Sequence, residues 1–180
     1  MKKALVVVDM QNDFITGSLE NDDAKNIVGN VVDLINMFKN DVSEDEGTIF
    51  VTMDTHHEDY LNTFEGKNLP VKHCIEGTNG WQLNANIQCA LDDLKNVIIL
   101  KKETFGSEDL PNVLRLSGKY DEIIMCGLCT DICVVTNALL LRTAFPNTKI
   151  SIFEQCCAGT STSRHNAAIE TMKSCQINIA

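Results

Sequence analysis

The sequence predicts a three-layer α/β/α protein, Rossmann-like, built on a central parallel sheet of five or six strands. Two observations carry this expectation. Five short apolar runs recur along the 180 residues, and amphipathic stretches of helical length lie between them. The runs are continuously apolar rather than alternating, as in strands covered on both faces. A β-then-α alternation gives parallel strands with right-handed crossovers, and such sheets place ligand sites at the carboxyl ends of their strands.

Taken in order, the first strand is Lys3 to Val8, followed by a helix over about Asp23 to Asn40 whose apolar residues recur at three- and four-residue spacing. The second strand is Thr48 to Met53. The stretch from Asp54 to Trp81 is polar and irregular and holds three of the four histidines. A loop that long inside a compact domain is usually functional or disordered, and this composition favours function. A helix at Asn84 to Leu94 leads to the third strand, Val97 to Leu100, and another at Glu108 to Leu116 leads to the fourth, Glu122 to Cys126. A helix over Asp131 to Ala144 and the fifth strand, Lys149 to Phe153, come next. The last helix, Ser163 to Ser174, has the clearest start, because Thr160, Ser161, Thr162 and Ser163 offer N-cap oxygens.

A chain of 180 residues fits one domain spanning 1–180, large enough to bury about 70% of its unfolded surface without disulfides or structural metal. With 15 Lys and Arg against 25 Asp and Glu, the net charge is −10. That argues against nucleic acid or an anionic membrane surface as partner. The apolar part of the N-terminus is too short for a signal peptide, and no run approaches a membrane span, so a cytoplasmic location is expected. There the eight cysteines would be free thiols, most of them small core residues. No two matching cysteine pairs are present to argue for structural zinc.

Chemistry concentrates at the strand ends. Gly127-Leu128-Cys129-Thr130-Asp131-Ile132-Cys133-Val134 follows an apolar run and precedes a helical pattern, so Cys133 falls in a first helical turn that Thr130 or Asp131 could cap. A helix N-terminus favours the thiolate, and its free N–H groups can hold an oxyanion. Cys129 is the nearest rival as nucleophile, and Cys126 should be buried. Asp9 ends the first strand and could take the thiol proton, although a capping or turn aspartate would look the same. Lys101 and Lys102 close the third strand, and only one of them can face a site. Asp54 and His56, with Glu65 and His73 further along, could hold a divalent transition metal with water in its open positions. His57 is expected to be exposed, and His165, on the last helix, to have a surface or core role.

Together these pieces resemble the isochorismatase-like cysteine hydrolases and, within them, the nicotinamidase type. The resemblance rests on Val8-Asp9-Met10-Gln11-Asn12-Asp13-Phe14, Asp54-Thr55-His56, and Pro70-Val71-Lys72-His73-Cys74-Ile75-Glu76-Gly77-Thr78. It rests also on Lys102-Glu103-Thr104-Phe105-Gly106-Ser107 and on the Gly127 to Val134 segment. It implies the isochorismatase-like hydrolase fold, an Asp9, Lys102 and Cys133 triad, an acyl-enzyme intermediate and hydrolysis of a small amide such as nicotinamide. Lys102 is selected over Lys101 by its place in the family motif. A cis peptide is implied at Leu128-Cys129, aiming the N–H groups of Cys129 and Cys133 at the oxyanion. Asp54, His56 and His73 are implied metal ligands, zinc first, with iron or manganese as alternatives. The histidine that many nicotinamidases carry six residues after the first is Asn62 here, and Glu65 could fill that place. Phe14 is implied to stack on the substrate ring, with Leu128 and Leu69 as further lining residues. Leu69 stands where relatives have an aromatic wall. A homo-oligomer is expected.

Two other readings compete. One keeps fold and triad without metal and hydrolyses another small amide, ureide or vinyl ether. The other is a redox protein in which Cys129 and Cys133 form a disulfide, which their one-turn spacing disfavours.

Overall fold

The computed structural model describes residues 1–41, 47–92 and 94–180. The first apolar run forms β1 (Lys3–Val8), with Ala4 through Val8 fully buried, so both of its faces are covered. A single helical turn, α1 (Asn12–Ile15), follows, and then α2 (Asp22–Asp41). Its buried residues Ala24, Ile27, Val28, Val31, Leu34, Ile35 and Phe38 make one apolar stripe. Next come β2 (Gly47–Asp54), α3 (Phe64–Asn68), α4 (Ala85–Leu91) and β3 (Val97–Lys102). The chain continues through α5 (Leu110–Ser117), β4 (Glu122–Leu128), α6 (Val135–Ala144), β5 (Lys149–Ala158), α7 (Thr162–Ser174) and β6 (Asn178–Ile179).

The sheet has six strands in the order β3-β2-β1-β4-β5-β6, all parallel. The chain moves outward from β1 to one edge, returns to the other side of β1, and continues to the opposite edge. Right-handed crossovers then place α2 and α4 on one face and α5, α6 and α7 on the other, and these two groups of helices pack internally. The reversal between β1 and β4 is a switch point, where a crevice opens outside the strand ends. Gly127 lets these two strands meet: its φ is +119°, and a Cβ there would lie 2.1 Å from the Val8 carbonyl oxygen.

Most elements fall where expected, with differences at their ends. Strands β2, β3 and β5 run past the apolar residues into polar ones, because ladder bonds do not depend on side-chain polarity, and β4 extends to Leu128. Asp54 and Lys102 are therefore partners within the sheet. The two-residue β6, paired through Ser151 with Asn178 and Ile152 with Ile179, is too short to leave a pattern. The helix expected to reach Leu94 ends at Leu91. The helix expected from Asp131 begins as a wide turn, Thr130–Val134, in which the Val134 amide bonds the Cys129 carbonyl at 3.1 Å. Among the described residues no helix is long and apolar enough to cross a membrane.

Candidate active site

Four side chains from four strand ends meet at the switch point. Lys102 Nζ lies 2.7 Å from Asp9 Oδ2, 3.0 Å from Asp54 Oδ1 and 3.5 Å from Cys133 Sγ, and all four residues are buried. Alternation along β3 decides which lysine enters. Lys101 points outward to Glu76 and over the Trp81 ring. Asp9 adopts φ +48°, which turns the chain sharply out of β1. Thr52 holds it there, donating its hydroxyl to Asp9 Oδ1 at 2.7 Å, while the Thr52 carbonyl accepts the Asp9 amide at 3.1 Å.

Burial governs the charges. It raises the Asp9 carboxyl above its ordinary value against the pull of Lys102, and the Asp54 charge adds to the rise. It also pushes the Cys133 thiol well up, with Asp9 adding and Lys102 opposing. Burial and the two carboxylates thus act against the thiolate that a helix N-terminus would favour. Burial would lower Lys102, but Asp9, Cys133 and Asp54 outweigh it, so the ammonium stays charged.

The turn that carries Cys133 differs from a capped helix. No side chain caps it, and Thr130 and Asp131 bond instead to His165 and Thr160. The Cys129 carbonyl takes the amides of Ile132 and Val134 rather than that of Cys133. The Leu128-Cys129 peptide is cis. Cys129 also borders the cavity, its thiol pushed up to about 12 by burial.

On the other side of Asp54 is a second cluster. Asp54 Oδ2 is 3.0 Å from His56 Nε2 and 3.5 Å from His73 Nε2, and Glu65 Oε1 is 3.7 Å from each imidazole nitrogen. Asp54, His56 and His73 are buried and converge as a group that could hold a metal ion. The donor set fits a cation. His73 Nδ1 lies 2.9 Å from the Val71 carbonyl oxygen, which puts the proton on Nδ1 and leaves the Nε2 lone pair facing Asp54. The buried His56 Nε2 has no well-formed hydrogen bond despite its 3.0 Å approach to Asp54, which leaves it open to a ligand. Burial would raise the Asp54 carboxyl, yet the two imidazoles and Lys102 hold it well below the ordinary carboxylate range. Burial raises Glu65.

Both clusters open into one cavity of about 1340 Å³, bordered by Phe14, Leu69, Phe64, Phe105, Cys129 and Cys133 among others. Leu128, expected to line the site, is fully buried and outside this wall, because β4 turns its side chain into the core. His57 is half exposed between Glu76 and Glu103, and Asn62 is outside the cavity wall.

Four supporting residues escaped sequence reasoning. Gln11 grips the Asp54 backbone with both ends of its side chain, accepting the Asp54 amide at 2.7 Å and donating to its carbonyl at 2.8 Å. Tyr60, fully buried, packs its ring 4.6 Å from that of His56 and 5.0 Å from that of His73. Thr52 orients Asp9. Asp13 accepts the Cys74 amide at 2.7 Å, anchoring the chain beside His73. Gln11 and Asp13 stand within the Val8 to Phe14 motif, the one signal that could have flagged them.

The fold and this cluster define a class: a doubly wound α/β protein with a buried thiol, carboxylate and ammonium at its switch point, beside a metal-ligating group. The isochorismatase domain model matches residues 3–180, and the chain belongs to the isochorismatase family. A nicotinamidase of Schizosaccharomyces pombe is 27% identical over 217 aligned residues, covering 98% of this chain and 91% of the relative. The structure of a nicotinamidase/pyrazinamidase from Bacillus subtilis is similar with a TM-score of 0.85 at 27% identity, both chains covered in full. The structure of a Pyrococcus horikoshii pyrazinamidase in complex with zinc gives 0.83 at 27% identity, covering 100% of this chain and 99% of that one.

Proposed function

We propose that the chain is an amidohydrolase of the nicotinamidase type, converting nicotinamide or a close small amide to the carboxylate and ammonia. The observation that carries this reading is the contact set of Lys102, 2.7 Å from Asp9 and 3.5 Å from Cys133. A carboxylate with a raised pKa, beside a thiol with a raised pKa, suits proton transfer at the moment of attack.

Cys133 Sγ attacks the amide carbon as Asp9 takes its proton, and Lys102 offsets the charge that would otherwise gather on the two. The carbonyl oxygen becomes an oxyanion facing the Cys129 and Cys133 amides. Asp9 then returns the proton to the departing nitrogen, ammonia leaves, and a thioester to Cys133 remains. Asp9 next activates water, which cleaves the thioester and frees the acid and the thiol. Asp54, His56, His73 and Glu65 would hold a divalent cation, which supplies a Lewis acid and bound waters to anchor a ring nitrogen. Phe14 stacks on the ring from one side.

Ammonia release over a panel of small amides, with and without added metal, tests this. Turnover of nicotinamide supports the reading. Turnover only of an aliphatic amide would overturn the nicotinamidase assignment and leave the broader cysteine-hydrolase reading in place.

A further inference from the structure

Between Cys129 and Cys133 lie the residues that determine where their two amides point. An ordinary helical start would fix them through local bonds and a side-chain cap, but this turn is wide and uncapped. Its Ile132 and Val134 amides bond the Cys129 carbonyl, and further contacts come from outside the turn. Thr130, fully buried, shares a hydrogen bond of 2.8 Å between its Oγ1 and His165 Nδ1. Asp131 accepts the Thr160 amide at 2.8 Å and the Thr160 hydroxyl at 2.6 Å. Both partners belong to the start of α7 and the segment leading into it. Gly159 permits the approach, since a Cβ there would fall 2.9 Å from both Asp131 Oδ1 and His165 Cβ. His165 is held on its far side by Glu154, 3.6 Å from Nε2.

We propose that His165 is a positioning residue for the reaction, holding the Cys129 to Cys133 turn through Thr130 so that its amides face the oxyanion. The inference rests on the amidohydrolase reading, and it gives α7 a role in catalysis although α7 supplies no reacting group. A displaced oxyanion donor lowers the rate of the chemical step rather than ground-state binding. His165→Leu should therefore lower kcat for the best amide of the panel by roughly ten- to a hundredfold with KM changed less than about threefold. His165→Asn, whose side-chain amide can reach the Nδ1 position, should recover most of the loss. Thr130→Val removes the same bond at nearly constant volume and serves if His165→Leu folds poorly.

The experiment is steady-state kinetics of the parent, the three variants and the Thr130→Val/His165→Leu double variant, with metal content measured on each. Because the two side chains act through one bond, the double variant should be no slower than the worse single variant. Losses that multiply, an unchanged kcat, or a loss confined to KM would each overturn the inference while an active parent keeps the amidohydrolase reading. A parent inactive on every amide would overturn both.

Discussion

Asp54 and Lys102 are partners in the β2–β3 ladder, and Asp54 spends one carboxylate oxygen on the Lys102 ammonium at 3.0 Å while the other faces His56 at 3.0 Å. One carboxylate thus joins the triad to the metal-ligating group. Asp54→Asn should reduce metal affinity at least tenfold, in line with the cost of disturbing a ligand shell. It should also lower kcat in a way that saturating metal does not restore. Full rescue by metal would mean that the Lys102 contact is dispensable.

Cys133→Ala should cut ammonia release more than about a hundredfold and leave the far-ultraviolet circular dichroism unchanged, because the lost side chain is small and the nucleophile has no substitute. Cys129→Ala should retain most activity, since the proposed chemistry uses only its backbone. Activity remaining in the first variant and lost in the second would reverse their roles.

Asp9 must be ionised to take the thiol proton, and its carboxyl is raised above the ordinary 3.8. The acid limb of kcat/KM should therefore have its midpoint above that value. The same shift affects stability. Above 3.8 the unfolded chain has released the Asp9 proton while the folded chain still holds it, so this contribution to stability declines as pH rises through the folded value. Asp54, held low, acts oppositely, and its contribution disappears as pH falls below the ordinary 3.8. Urea unfolding of the parent and Asp9→Asn across pH should differ in slope on the Asp9 side, and Asp9→Asn should not acylate in single-turnover trapping.

His56→Ala and His73→Ala should each lower the metal content of protein purified without added metal, with Glu65→Gln giving a smaller loss. Elemental analysis checks this. An unchanged load in His56→Ala would remove the site.

Leu69 borders the cavity and is 38% exposed. Leu69→Trp should lower KM for nicotinamide about two- to tenfold with little change in kcat, the 0.5–1.5 kcal/mol of an added ring contact. A change in kcat alone would argue that this wall touches the reacting group.

The sheet and the site's inventory were legible for one reason: buried parallel strands leave continuous apolar runs, and polar residues, Asp9, Asp54 and the Lys101-Lys102 pair, mark their carboxyl ends. What was not legible depends on tertiary partners. The state of Cys133 follows from depth of burial, which spacing cannot report. Thr130 and Asp131 look like N-caps until His165 and Thr160 claim them. Tyr60 sits in a stretch without periodicity, and Leu128 is buried at the end of β4 beyond a register shift between Met125 and Gly127 that the sequence does not mark. The choice of Lys102 over Lys101 needed the family motif, and alternation along β3 gives the physical cause.

The centre is also an assembly problem for the growing chain. Lys102 is 48 residues from Asp54 and 31 from Cys133, so each contact closes a long segment of chain before any interaction compensates for the lost entropy. β4 must dock beside β1 before Cys133 can reach Asp9. A nascent or partly unfolded chain therefore holds an ordinary thiol, and reactivity toward amides appears only with the completed middle of the sheet. Chemical competence and correct folding are reported by the same four side chains.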